Sequence, residues 1–151
     1  MGKFAKLADV QSRLPYRRIE QTSSPSTVDV EQWVEEAESL LLAVMGAAGI
    51  AEPAAGSSAH PIIRSWVVDY AEGRIKAALA AAGGLESDSG EALIERFSAR
   101  LDNITSNASK WGAIFGTVDS TDKHIKIRSN TTDSSEQVKQ YDSEFAMDTD
   151  F

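Results

Sequence analysis

The sequence predicts an all-α protein: an antiparallel helical bundle of three long helices, preceded by a short N-terminal helix and followed by a C-terminal β-hairpin or extended arm. Three observations predict it. Apolar residues recur at i, i+3, i+4 and i+7 through three long stretches, the spacing of one helical face. The links between those stretches are short and rich in Gly, Ala and Ser, which favours neighbouring helices that run antiparallel. Period-two alternation appears only near the C-terminus.

Taken in order, Leu7 to Leu14 suits a short helix, with Asp9 at its start and Pro15 at its stop. Residues 20–27, EQTSSPST, are a polar loop. Val28 to Ala48 follows, the most strongly patterned stretch of the chain. Val30, Trp33, Val34, Ala37, Leu40, Leu41, Val44, Met45 and Ala48 mark its apolar stripe. Glu31, Glu35, Glu36 and Glu38 fall largely off the stripe and read as an exposed acidic flank. Ser26 and Asp29 fit a capping-box start, and Gly49 suits a C-cap. After a linker containing Pro53, a second long helix is expected from Pro61 to Ala82. Proline tolerates the first turn because its missing N–H is not needed there. Ile63, Trp66, Val67, Tyr70, Ala71, Ile75 and Leu79 trace its face, and Gly83 and Gly84 end it. Its close, KAALAAA, offers little side chain, so it suits a close approach to a neighbour, either within the chain or across a subunit seam. A third helix is expected from Ser89 to Ser109, with Leu93, Phe97, Leu101, Ile104 and Ala108 on one stripe. The expected core includes Trp33, Leu40, Leu41, Trp66, Tyr70, Leu79, Phe97 and Leu101.

Beyond Lys110 the grammar changes. WGAIFGTV is rich in β-branched and aromatic residues, and His124 to Arg128 alternates with Ile125 and Ile127 on one face. A turn signal, Asp119 to Asp122, separates them. This predicts a hairpin or two extended arms over 111–128. Residues 129–151 are acidic, rich in Ser, Thr and Asp, and poor in aliphatics, a composition that builds no core of its own. The organisation is therefore 1–27, short helix and loop; 28–110, helical bundle; 111–128, hairpin or extended strands; 129–151, acidic extended tail.

Charge is uneven. The whole chain carries -8, yet residues 1–20 hold five cationic residues against two acidic ones. Residues 129–151 hold one lysine against six acids. Ends of opposite charge suit separate contacts, and an acidic whole argues against wrapping nucleic acid with the entire surface. There is no cysteine, hence no disulfide framework or thiolate metal site. No apolar run approaches the roughly 18 residues of a membrane span, and the first residues lack the apolar region of a signal peptide.

Catalytic motifs are scarce. The two histidines, His60 and His124, lie far apart and have no second ligand at metal-binding spacing. No E-x-x-H, G-x-S-x-G, P-loop or G-x-G-x-x-G occurs. Glu35, Glu36 and Glu38 supply paired carboxylates in principle, but an exposed helix flank explains them better. These observations predict no enzyme, no cofactor and no catalytic or metal residues.

The order of features carries a resemblance. Phe4 to Asp9 stands in a short N-terminal helix region; Trp33-Val34-Glu35-Glu36-Ala37-Glu38 lies in the first long helix; Tyr70-Ala71-Glu72-Gly73-Arg74 lies in the second. Over residues 4–110 this order resembles the head-to-tail connector adaptors of tailed bacteriophages. The acidic tail beyond Arg128 is not part of that common pattern. The resemblance implies a homo-oligomeric ring, commonly a dodecamer, beneath the portal protein. Such a ring extends the DNA channel, lets DNA pass without specific binding, and joins the capsid to the downstream neck or tail protein. It further implies a virion protein assembled in the host cytoplasm, with no membrane contact. For the C-terminal region we expect an arm that docks on a neighbouring protein, above all the portal, through Ile125, Ile127, Tyr141, Phe145 and Phe151. The rival from another class is a small acidic helical binding protein, a chaperone or inhibitor acting as monomer or dimer.

Overall fold

Five α-helices account for most of the described residues, 2–83 and 87–118, of the computed structural model. They are α1 (Leu7–Arg13), α2 (Thr27–Ala47), α3 (His60–Ala81), α4 (Ser87–Ser106) and α5 (Ala108–Phe115). The all-α class holds over this region; the only extended pairing among the described residues is an isolated antiparallel bridge between Ile50 and Thr117. The first four helices fall within three residues of their predicted bounds.

Local chemistry accounts for the ends. Ser26 Oγ accepts from the Asp29 amide at 3.3 Å, while Asp29 Oδ2 accepts from the Ser26 amide at 2.8 Å, a closed capping box at the head of α2. Gly49 follows α2 at φ 71° and Gly83 follows α3 at φ 93°, the left-handed region where a side chain is strained. Pro61 occupies the first turn of α3.

The core is one cluster drawn from every helix. Val30, Val34, Ala37, Leu41 and Met45 of α2 face Ile63, Val67, Ala71 and Ile75 of α3, with Phe97 and Ile104 of α4. Phe4, Ala5, Val10, Leu14 and Ile19 close it from the N-terminal side. α3 and α4 approach closely at a glycine pair. A Cβ on Gly73 would lie 2.9 Å from the Gly90 carbonyl oxygen, and one on Gly90 would lie 2.8 Å from the Ala77 amide nitrogen. Gly73 and the backbone at Ala77 thus serve a close contact with α4 within the chain.

Two core assignments need correction. Leu40 is 43% exposed. At 100° per residue it sits about 100° round the helix from the centre of the stripe that Val30, Val34, Ala37, Leu41 and Met45 bury. Glu38, read as part of an exposed flank, is 5% exposed. It lies four residues after Val34 and three before Leu41, on the buried side of α2. Trp33, Leu79 and Leu101 pack partly buried against the core, while Leu41, Trp66, Tyr70 and Phe97 lie within it.

The first arm of the expected hairpin also differs. Residues 111–115 are helical, in α5; Gly116 ends the helix at φ 98°, and the chain pairs in extended form only at Thr117. Trp111 and Phe115 stand one helical turn apart and stack with ring centroids 5.2 Å apart. Both meet Trp66 edge-on, at 5.3 and 6.2 Å. Packing on Trp66 overrides the strand preference of this aromatic stretch, as tertiary contacts commonly do. Trp111 Nε1 further donates to Asn103 Oδ1 at 2.8 Å, tying α5 to α4. The second arm, His124 to Arg128, lies outside the described residues.

Candidate functional site

Two polar centres stand out against this core. The first begins at Glu38. Its carboxylate accepts three consecutive backbone N–H groups, from Lys3 (2.6 Å), Phe4 (2.7 Å) and Ala5 (3.0 Å). Successive amides turned toward one anion form a nest, a concave donor surface that binds negative charge. A buried carboxylate is costly unless it is hydrogen-bonded, and these three bonds occupy most of its acceptor sites. The N-terminal segment is thereby strapped across α2. Phe4 continues the strap to α3 by packing its ring 5.2 Å from His60, and Lys3 Nζ pairs with Glu52 of the linker.

Farther toward the N-terminal end of α2, Arg74 of α3 lies over two rings. Its guanidinium carbon is 5.5 Å from the Trp33 ring centre and 5.8 Å from that of Tyr70, within cation–π range. Arg74 Nη1 donates to Tyr70 Oη at 3.2 Å and reaches Glu36 at 3.9 Å. Burial raises the Tyr70 phenol above its ordinary value and Glu36 adds to the rise, with Arg74 opposing it.

The second centre joins α1, α3 and α4. Asp69, 7% exposed, accepts from Arg100 Nη1 of α4 at 2.8 Å. Arg13 of α1 approaches its other oxygen at 3.8 Å. Arg100 also lies 5.4 Å over the Trp66 ring. Alongside, Arg64 of α3 bonds the Asp9 carboxylate of α1. Burial pushes the Asp9 carboxyl up, but hydrogen bonds from Arg64 and the Lys6 amide, with the charges of both residues, hold it below the ordinary carboxylate value. Between α1 and α3 an open groove of about 270 Å³ is lined by Asp9, Arg13, Arg64 and neighbouring Ser12, Pro61, Ser65 and Val68.

Of the sequence-predicted contact residues, Ile125, Ile127, Tyr141, Phe145 and Phe151 lie outside the described residues, as does His124. Glu38, Asp69, Arg13 and Arg100 were missed. Periodicity carried a signal for Glu38, which shares the face of Val34 and Leu41. Asp69 had a weaker one, between the stripe residues Val67 and Tyr70. Nothing local distinguishes Arg13 or Arg100 from solvated arginines, because their partners are far off in sequence. Among the described residues no group of three or more His, Asp or Glu is placed to hold a metal ion, and no helix is long and apolar enough to cross a membrane. No family model, curated protein or solved structure matches the chain.

Proposed function

We propose that this chain is a structural neck protein of a tailed bacteriophage, a head-to-tail adaptor that does no covalent chemistry. In this reading the long helices form an antiparallel bundle, and copies join as a homo-oligomeric ring, a dodecamer, beneath the portal protein. The ring extends the DNA channel and offers its far face to the downstream neck or tail protein. A heterologous interface that closes on itself makes such a ring, and a net charge of -8 keeps passing DNA from sticking. The protein would reside in the virion after assembly in the host cytoplasm.

One observation carries the reading: the three segments behind the resemblance meet in space. The amides next to Phe4 bind Glu38, the last residue of the Trp33–Glu38 segment. Arg74, the last residue of the Tyr70–Arg74 segment, lies over Trp33 and Tyr70. The region beyond His124 is read as an arm that docks on the portal. Its Ile125 and Ile127 alternate as a β-augmenting strand would, and Tyr141, Phe145 and Phe151 supply anchors.

Electron micrographs and mass measurement of the protein with purified portal rings test both statements. Closed rings stacked on the portal are expected, and a stable closed dimer in that setting overturns the adaptor reading. A chain lacking 129–151 should join portal rings more weakly; unchanged affinity overturns the arm.

A further inference from the structure

We propose that the groove between α1 and α3 is a docking site for an acidic peptide segment of a protein partner, with Arg13 as its first contact. The groove's cations outnumber their carboxylates. Arg64 is engaged by Asp9, and Arg100 by Asp69 at 2.8 Å. Arg13 is left with Asp69 at 3.8 Å, too long for a hydrogen bond, and its side chain is 50% exposed. Of the groove's own lining, two guanidiniums, Arg13 and Arg64, therefore face one carboxylate, Asp9, and the surplus charge sits on Arg13, the arginine with donors to spare. A guanidinium fork matches a carboxylate in a bidentate pair, which a solvated lysine would not do as well.

The chain around Arg13 extends this surface. Pro15, Tyr16 and Arg18 are exposed, Tyr16 to 65%. An exposed aromatic ring three residues along the chain from Arg13 offers a bound peptide an apolar foothold. The overall charge of -8 does not forbid an acidic ligand, because residues 1–20 carry a local surplus of cations. With a screening length of about 8 Å at physiological ionic strength, that local charge governs the encounter. A free small anion fits less well. The groove is open, with Arg13 and Arg64 each about half exposed, so such an ion would keep its water and gain little. An extended peptide gains from carboxylate and ring together. Nothing in this docking mode depends on the adaptor reading.

The test uses the full-length, isotope-labelled protein and an acetylated peptide, Asp-Glu-Phe-Asp-Glu. A lysine-for-acid counterpart, sodium acetate, inorganic phosphate and a single-stranded DNA oligonucleotide serve as comparisons at matched ionic strength. The acidic peptide should shift amide signals between Ser12 and Arg18 and between Arg64 and Val68 saturably, and the lysine peptide should not. Arg13→Glu should weaken binding about tenfold or more, as loss of a charge-paired contact does. Arg13→Gln, which leaves Asp69 paired to Arg100, should weaken it less and serves if the reversal perturbs folding. Shifts elsewhere on the molecule, no saturable shift, or equal affinity in the Arg13 variants overturns the proposal. So does acetate or phosphate acting at the same concentration as the peptide, which would make the groove a simple anion patch, or tighter binding of the oligonucleotide.

Discussion

Glu38 shows most clearly what a single residue contributes. Its carboxylate accepts amides from three consecutive residues of the N-terminal segment while sitting against Val34 on α2. Glu38→Gln keeps the shape but turns one acceptor into a donor facing an N–H. A buried donor without a partner costs about 1–3 kcal/mol, so this variant should lose about that much in denaturant unfolding. Hydrogen exchange at Lys3, Phe4 and Ala5 should speed up, and unchanged exchange there would refute the strap. Leu41 and Leu40 make a sharper pair, adjacent in sequence but 0% and 43% exposed. Leu41→Ala should cost about 2–5 kcal/mol, whereas Leu40→Ala should stay within about 0.5 kcal/mol. Equal costs would put the buried face of α2 in the wrong place.

Acid sensitivity also has a residue-scale origin. Asp9 and Asp29 both titrate below their ordinary value in the folded chain. Arg64 and the Lys6 amide outweigh burial at Asp9; at Asp29 the Ser26 amide and hydroxyl do so. A carboxylate depressed on folding adds stability that is complete above its unfolded value, near 3.8. That stability is lost as pH falls through the lower folded value. Melting temperature should therefore fall as the pH drops below about 4, and Asp9→Asn should flatten the fall. An unchanged slope in that variant would remove Asp9 from the acid response.

At the scale of elements, the contact between α3 and α4 depends on what is missing from two side chains. A methyl on Gly73 would meet the backbone of Gly90 at 2.9 Å, and backbone cannot step aside as a flexible side chain can. Alanine is the better helix former by about 1 kcal/mol, yet overpacking costs about 1–3 kcal/mol. Gly73→Ala should therefore destabilise, by denaturant unfolding. Gly46 of α2 is the control, since a methyl there meets nothing within 4 Å. Gly46→Ala should stabilise by about 0.5–1 kcal/mol. Both variants moving the same way would contradict the close approach at Gly73. The same scale explains α5. The aromatic run from Trp111 has the composition of a strand, but a helix brings Trp111 and Phe115 within one turn so that both meet Trp66, whereas a strand would part them by about 13 Å.

At the scale of the molecule, residues 1–117 form one compact unit in which the N-terminal segment belongs to the core. Phe4, Ala5, Val10 and Leu14 are buried as deeply as the helix stripes. The ion cluster of Arg13, Asp69 and Arg100 then ties α1, α3 and α4 together at a single carboxylate. Removing Arg100 would take from the buried Asp69 its hydrogen-bonded partner, which is the expensive case. The adaptor reading concerns this scale too, because a ring is a property of many copies and its test is an assembly.

What the sequence alone determined are the features that act over one or two helical turns. Periodicity placed α2 to α4, Asp9 and Pro15 bounded α1, Ser26 and Asp29 placed the start of α2, and Gly49 and Gly83 marked ends that the backbone confirms at positive φ. The tertiary structure alone decided features with partners far along the chain. Glu38 is buried because amides more than thirty residues away wrap it. Asp69 draws its arginines from α1 and α4, and residues 111–115 are helical because Trp66 offers them a surface. Local spacing records which face of a helix is apolar. It does not record which buried carboxylate will find donors, because those donors are brought together only when the chain closes on itself.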